Sequence, residues 1–249
     1  MANWSDPRVG ATGFAATAAG TRADAYDAGL RSYMLSVYNR MTSAVLLTGI
    51  VAMAFAWGGR ESPAASLLIN GGPMAWVVML APLGFVFALS LGANRMKTST
   101  MSALFWAFAV AMGLSLSTVF LQYTGTSIAG AFFATSAAFA GLSLYGYTTK
   151  RDLAPLGTFL IMGLVGLIVA SLVNLFLQSG PFNLVISAVG VLLFAGLTAY
   201  DTQKIKSLYF QVAGTDMAGK TAILGALSLY LDFINMFLFI LRLFGSSRD

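Results

Sequence analysis

Seven apolar segments dominate this sequence, each close to the roughly 20 residues that an α-helix needs to cross a bilayer. Only 9% of the 249 residues are charged, against about 25% in soluble domains. Because such a chain exposes too much apolar surface for one soluble core, we predict an all-α membrane protein built as a bundle of seven transmembrane helices. We place the spans at about residues 41–58, 74–94, 101–122, 127–147, 155–177, 182–203 and 221–242.

The chain before the first span divides into two parts. Residues 1–24 are rich in Ala, Gly and Thr and lack the apolar core of a cleaved signal peptide. We therefore expect a flexible cytoplasmic tail, followed by a transmembrane domain over residues 25–249. From Tyr26 to Met41, apolar residues recur at helical spacing among charged ones. This pattern fits either a short amphipathic helix on the membrane surface or the solvated start of the first span.

The net charge of +5 reflects membrane topology rather than nucleic-acid binding, because the basic residues stand at the ends of apolar segments and form no single cluster. With seven crossings, eleven basic residues fall on the N-terminal side and three on the other. This bias predicts a multi-pass protein of the cell inner (cytoplasmic) membrane with its N-terminus in the cytoplasm. The eleven are Arg8, Arg22, Arg31, Arg40, Arg95, Lys97, Lys150, Arg151, Lys204, Lys206 and Lys220, and the three are Arg60, Arg242 and Arg248. If the last segment were re-entrant, the C-terminus would lie in the cytoplasm instead of outside. The count of basic residues would hardly change, so it does not distinguish the two arrangements.

The chain contains neither Cys nor His. It therefore has no disulfides, no thiolate chemistry, no imidazole metal ligands and no Ser-His or Cys-His nucleophile. We expect no enzymatic activity and no cofactor. A response to pH near neutrality has to come mainly from carboxylates in unusual surroundings.

Asp232 is the only charged residue between Thr221 and Leu241. A carboxylate at membrane depth costs roughly 2.5–3.5 kcal/mol, so it is expected to face the bundle interior. The helix face of Asp232 also carries Ser228, Asn235, Phe239 and Arg242. Of these, Ser228 and Asn235 are possible supporting groups. The residue fits a proton- or cation-responsive site, or a structural hydrogen bond to a neighbouring helix.

Asp201 stands where the sixth apolar segment meets a basic loop, with Thr198 and Ile205 on its helix face. It belongs to the span that precedes and runs antiparallel to that of Asp232. Two carboxylates close together in a site of low dielectric do not both ionise easily, and they titrate as a pair. When deprotonated, the pair can repel itself apart or take a divalent cation such as calcium.

Arg95 ends the second span on the same predicted side of the membrane as Asp201. A guanidinium there could make a bidentate contact with the carboxylate pair. The alternative is an ordinary cytoplasmic Arg that faces water.

Other seven-span chemistries fit less well. A retinal protein needs a Lys inside the seventh span, and a rhomboid-type protease needs a His; both are missing. Tyr200-Asp201 is similar to the first half of the presenilin-type aspartyl protease signature. In the second half, however, Leu229-Tyr230-Leu231-Asp232 stands in place of Gly-x-Gly-Asp. Intramembrane proteolysis is therefore the least favoured alternative.

Two stretches, AYDTQKIK at 199–206 and ALSLYLDFINMFLFILRLFG at 226–245, resemble the signature segments of the Bax-inhibitor-type (transmembrane BAX inhibitor motif) family. RSYMLSVYNRM at 31–41 resembles the entry to the first span of its bacterial members. The resemblance implies a seven-helix bundle in which the last helix is central and wrapped by the other six. It also implies a pH-sensitive calcium leak, with calcium as the transported ion.

The resemblance also implies roles for particular residues. Asp201 and Asp232 match the aspartate pair that shares a proton and gates the pore. Arg95 matches, by counting from Gly113, an Arg that latches the aspartate of the sixth span. The acidic residue that some relatives carry in the second span is absent from residues 74–94. Some bacterial relatives instead modulate the membrane protease FtsH or are its substrates, which makes a protease-regulating interaction protein the alternative function.

Overall fold

The computed structural model describes residues 11–69 and 71–248, and the side chains of residues 28–69 and 71–248. Seven long helices make up most of this part, and no strand occurs among the residues described. They are α1 (Ala11–Phe55), α2 (Pro73–Gly92), α3 (Thr98–Gln122), α4 (Gly125–Thr148), α5 (Ala154–Leu177), α6 (Gly180–Val212) and α7 (Met217–Phe244). A 3-10 turn at Gly59–Glu61 and a π-helical turn at Ala65–Ile69 lie between α1 and α2.

Helix ends follow the local sequence. Proline stands in the first turn of α2, α5 and α6, where its missing N–H costs nothing. The hydroxyl of Thr124 accepts a hydrogen bond from the Ser127 backbone N–H at 3.3 Å and caps α4. Only Tyr123 and Thr124 separate α3 from α4, so the long uncharged run of the sequence forms a tight helical hairpin.

The last helix is the centre of the bundle. Of the most apolar 18 residues of α7, 72% are buried, against 11% for α5 and at most 44% for any other helix long and apolar enough to span a membrane in the described part. It packs against α1, α2, α3, α4 and α6. The fold predicted from the sequence, a seven-helix membrane bundle with a central last helix, is confirmed. The helix α5 lies at the periphery, where it packs on α6.

The central helix crosses the whole bundle. Its 28 residues are about 42 Å long. The chain after it reaches the α3–α4 turn, where Arg248 N–H donates to the Gln122 carbonyl at 2.8 Å and Thr124 N–H donates to the Ser246 carbonyl at 3.1 Å. The α3–α4 turn lies on the side of the bundle opposite the one at which the chain enters α1, which we call the N-terminal face. Because α7 begins at the N-terminal face and ends at the opposite one, it is not re-entrant.

Two helices are longer than the apolar pattern indicates. The structure extends α1 back to Ala11, so residues 11–24 of the expected tail are helical, whereas residues 1–10 lie outside the described part. This segment is rich in Ala, the strongest helix former. Because α1 is continuous, the Tyr26–Met41 segment is the start of the first span and not a separate surface helix.

The sixth helix runs on to Val212, nine residues beyond the predicted end of its span at 203. Lys204 and Lys206 do not stop it, because long basic side chains extend towards water while their stems cover apolar surface. Asp201 consequently lies inside α6, about three turns from its end. The expectation that it stands where the helix meets a loop is wrong.

Candidate functional site

Two close contacts set the register between α6 and α7. A Cβ atom on Gly225 would lie 3.1 Å from Ile205 Cγ1, and one on Gly190 would lie 2.7 Å from the Phe239 ring. Glycine at these positions therefore lets the antiparallel helices approach closely at two heights. With this register Asp232 is level with Thr198, and Asp201 is three residues, or about 4.5 Å along the axis, nearer the N-terminal face.

The two carboxylates that the sequence singled out therefore meet at this interface. Asp232 is only 5% exposed, and Asp201 is partly buried. The Asp201 carboxylate acts electrostatically on that of Asp232. The Oδ2 atom of Asp232 is buried and has no hydrogen-bond partner among the residues that the structure describes. Because a buried ionised oxygen without a partner is costly, this atom is suited to a shared proton or to a cation.

Hydroxyl groups line α6 on both sides of Asp201. Thr198 and Thr202 are fully buried. Thr198 donates to the Phe194 carbonyl at 2.8 Å within its own helix. Thr202 shares a 3.0 Å hydrogen bond with Ser143 of α4, and Ser143 in turn shares one with Tyr38 of α1. This chain, the Tyr38–Ser143–Thr202 network, joins three helices one residue from Asp201.

Close backbone contact fixes α4 beside the same part of α6. A Cβ atom on Gly146 would collide with the Ala199 backbone. Lys206 Nζ donates to the Tyr147 carbonyl at 2.7 Å and lies 4.8 Å from the centre of the Tyr147 ring. The α4–α6 contact therefore holds Asp201 between α4 and α7.

A second network braces the central helix half a turn from Asp232. The Tyr230 hydroxyl shares a 2.7 Å hydrogen bond with Thr48 of α1, and Thr48 donates to the Ala109 carbonyl of α3 at 2.8 Å. Tyr230 also makes an edge contact with Phe108, 5.0 Å between ring centroids. Sequence reasoning missed both networks, since an isolated hydroxyl in an apolar span gives no sign of its partner.

Ser228 and Asn235, expected on the Asp232 face, do not hydrogen-bond to Asp232. Asn235 Nδ2 donates to the Leu231 carbonyl at 2.8 Å within α7 and borders a cavity beside α5. Ser228 is partly buried. Supporting roles for these two residues stay predictions.

The structure does not bring Arg95 to the carboxylate pair. Arg95 is exposed in the α2–α3 turn and makes no ion pair with Asp201 in the described chain. The turn lies at the N-terminal face, because Lys220 Nζ at the start of α7 donates to the Ala93 carbonyl at 3.1 Å. Among the described residues, Lys204, one turn along α6, is a cation whose charge acts on Asp201. The role of Arg95 as a latch therefore stays a prediction, and it requires an arrangement in which the Arg95 side chain reaches Asp201.

The pair provides a partial set of oxygen ligands for calcium. Calcium takes six to eight oxygens when firmly held, whereas within the described residues no group of three or more potential ligands from Asp, Glu, Cys or His comes together. Two carboxylates suit a weakly held cation, and weak binding is what passage through a membrane requires.

Comparisons with known proteins agree with this architecture. Residues 30–249 match the family model described as "Inhibitor of apoptosis-promoting Bax1". An uncharacterized protein of Rickettsia prowazekii is 48% identical over 225 residues, covering 90% of this chain and 93% of the relative. An uncharacterized protein of Caulobacter vibrioides is 43% identical, covering 95% and 98%. The inner membrane protein YbhL of Escherichia coli is 43% identical over 224 residues, covering 89% and 94%.

Proposed function

The chain belongs to the family of the inhibitor of apoptosis-promoting Bax1, and from this premise we propose that it is a pH-sensitive calcium leak gated by the Asp201–Asp232 pair. The observation that carries the proposal is the buried Oδ2 of Asp232, which has no hydrogen-bond partner within the described residues and feels the charge of a second carboxylate. An intramembrane charge in such a position is most economically explained by transport or sensing.

We propose that the protein lies in the cytoplasmic membrane with its N-terminus in the cytoplasm. The excess of basic residues on the N-terminal face supports this orientation, and the similarity to YbhL, an inner membrane protein of Escherichia coli, supports the location. Calcium would then enter from the face that carries the α3–α4 turn and pass the carboxylate pair along α7.

Gating follows from the proton balance of the pair. With Asp201 ionised, Arg95 can swing in from the α2–α3 turn and form a charge-assisted contact that holds the closed state. Protonation of the pair removes the anionic partner, so the latch releases. Among the described residues Arg95 is exposed and makes no ion pair with Asp201, and we assign this arrangement to the released latch.

Reconstitution tests this function directly. The purified protein in liposomes loaded with a calcium indicator should admit external calcium faster than protein-free liposomes. Asp201→Asn and Asp232→Asn should alter the flux, whereas Asp152→Asn, which changes an exposed carboxylate in the α4–α5 loop, should not. Calcium flux that is unchanged by both Asp201→Asn and Asp232→Asn would overturn the proposal. Deletion of residues 1–24 separates this function from tail-mediated regulation of a protease, because a leak survives the deletion.

A further inference from the structure

A lateral groove separates α1 from α4. Its volume is about 720 Å³, and both helices pack on α7 below it. The floor includes Phe233 of α7, whose ring centroid lies 5.6 Å from that of Phe139 and 5.7 Å from that of Phe132. The hydrogen bond between Tyr38 and Ser143 bridges the two walls. We call this cavity the α1–α4 groove.

The groove is long and follows α1 and α4 along their length. On α1 its lining extends from Arg31 to Leu46, which spans about 22 Å of helix. This is more than half of a hydrocarbon core roughly 30 Å thick. The groove therefore leads from the N-terminal face past the middle of the membrane, which is the path of one lipid acyl chain.

The chemistry of the lining favours a lipid over a polypeptide. Most lining residues are apolar, and the Tyr38 and Ser143 hydroxyls already bond to each other. A peptide in the groove would leave backbone N–H and C=O groups without partners inside the membrane, at several kcal/mol each. An acyl chain has no such groups to satisfy.

Charge at the mouth specifies the headgroup. Arg31 is the only charged residue that lines the groove within the described chain. It is exposed, and it forms no ion pair or hydrogen bond through its side chain there. A guanidinium with free donors at the membrane surface binds phosphate well.

We propose that the α1–α4 groove binds an anionic phospholipid, with one acyl chain between α1 and α4 and the headgroup phosphate at Arg31. The bound lipid fills the space beside Phe233 and the Tyr38–Ser143 bridge, and so supports the packing around the carboxylate pair. Lipid binding in the groove does not depend on ion conduction.

Native mass spectrometry of the detergent-purified protein, with phosphatidylglycerol or phosphatidylcholine added, tests the proposal. We expect preferential retention of one phosphatidylglycerol. Arg31→Ala should weaken that retention about fivefold, whereas Arg40→Ala, which removes a guanidinium bonded to Ser36 at 2.7 Å, should not. Equal retention of both lipids, or no effect of Arg31→Ala, would overturn the anionic assignment.

A second pair of variants tests the acyl chain. Ala140→Trp should fill the groove and abolish retention, while Ala138→Trp, at an exposed position of α4 that does not line the groove, should leave it unchanged. If the Trp variants fail to fold, Ala140→Leu and Ala138→Leu serve the same comparison. Retention that survives substitution of Ala140 would overturn the site. Retention that rises on deletion of residues 1–24 would identify the tail as the occupant and also overturn it.

Discussion

Asp232 lies across the α6–α7 interface from Asp201, offset by three residues, and its Oδ2 has no hydrogen-bond partner in the described part of the chain. The offset is a consequence of packing. The helices α6 and α7 can approach closely in only one register, the one in which Ile205 packs on Gly225 and Phe239 packs on Gly190. The central position of α7 buries Asp232, and the Asp201 carboxylate adds a second, smaller electrostatic influence on it.

The proposed latch predicts the behaviour of an Arg95 variant. Arg95→Gln should raise calcium flux at alkaline pH about tenfold, because a hydrogen bond to a charged group contributes about 1.5 kcal/mol to the closed state. Lys97→Gln, which removes another exposed cation of the same turn, is the matched control. Equal flux from Arg95→Gln and the unmodified protein at alkaline pH would exclude Arg95 as the latch.

The close contact between α4 and α6 predicts a position-specific loss of stability. Gly146→Val should lower the free energy of unfolding by about 1–3 kcal/mol, because the added side chain collides with the Ala199 backbone. Gly141→Val adds the same atoms at a position with open space around it. Thermal unfolding in detergent should separate the two variants clearly. If they unfold alike, the close approach of α4 and α6 does not contribute to stability.

The brace on α7 predicts a smaller effect. Tyr230→Phe should destabilise the bundle by about 0.6 kcal/mol, a typical value for a hydrogen bond between transmembrane helices. The loss stays small because Thr48 keeps its bond to the Ala109 carbonyl. Tyr145→Phe, which alters a tyrosine that is 49% exposed, should have no measurable effect. Chemical unfolding of the three proteins side by side measures the difference.

Much of the fold could be predicted because apolar length and charge placement follow directly from the bilayer. The sequence also singles out Asp232 and Asp201 as candidates, since a lone charge in an apolar helix is rarely accidental, and their role as a sensor stays a prediction. The end of α6 could not be predicted, because Lys204 and Lys206 are typical of a basic loop in the sequence but lie on the helix. The partners of Tyr230 and Thr202 could not either, since a hydroxyl bonds to whatever the packing brings near it. For Arg95, the sequence predicts the side of the membrane on which the residue lies. It does not predict the distance between Arg95 and Asp201, because that distance depends on helix packing.

The pH profile of calcium flux in liposomes is the most direct test of the central claim. As pH is lowered through neutrality, protonation of the pair releases Arg95, so flux of the unmodified protein should rise. Asp201→Asn, which removes the anionic partner of the latch, should give high flux at every pH. Asp232→Asn removes the charge that repels ionised Asp201, so the rise should move to lower pH. A flat profile for the unmodified protein, or unchanged profiles for both variants, would contradict gating by Asp201 and Asp232.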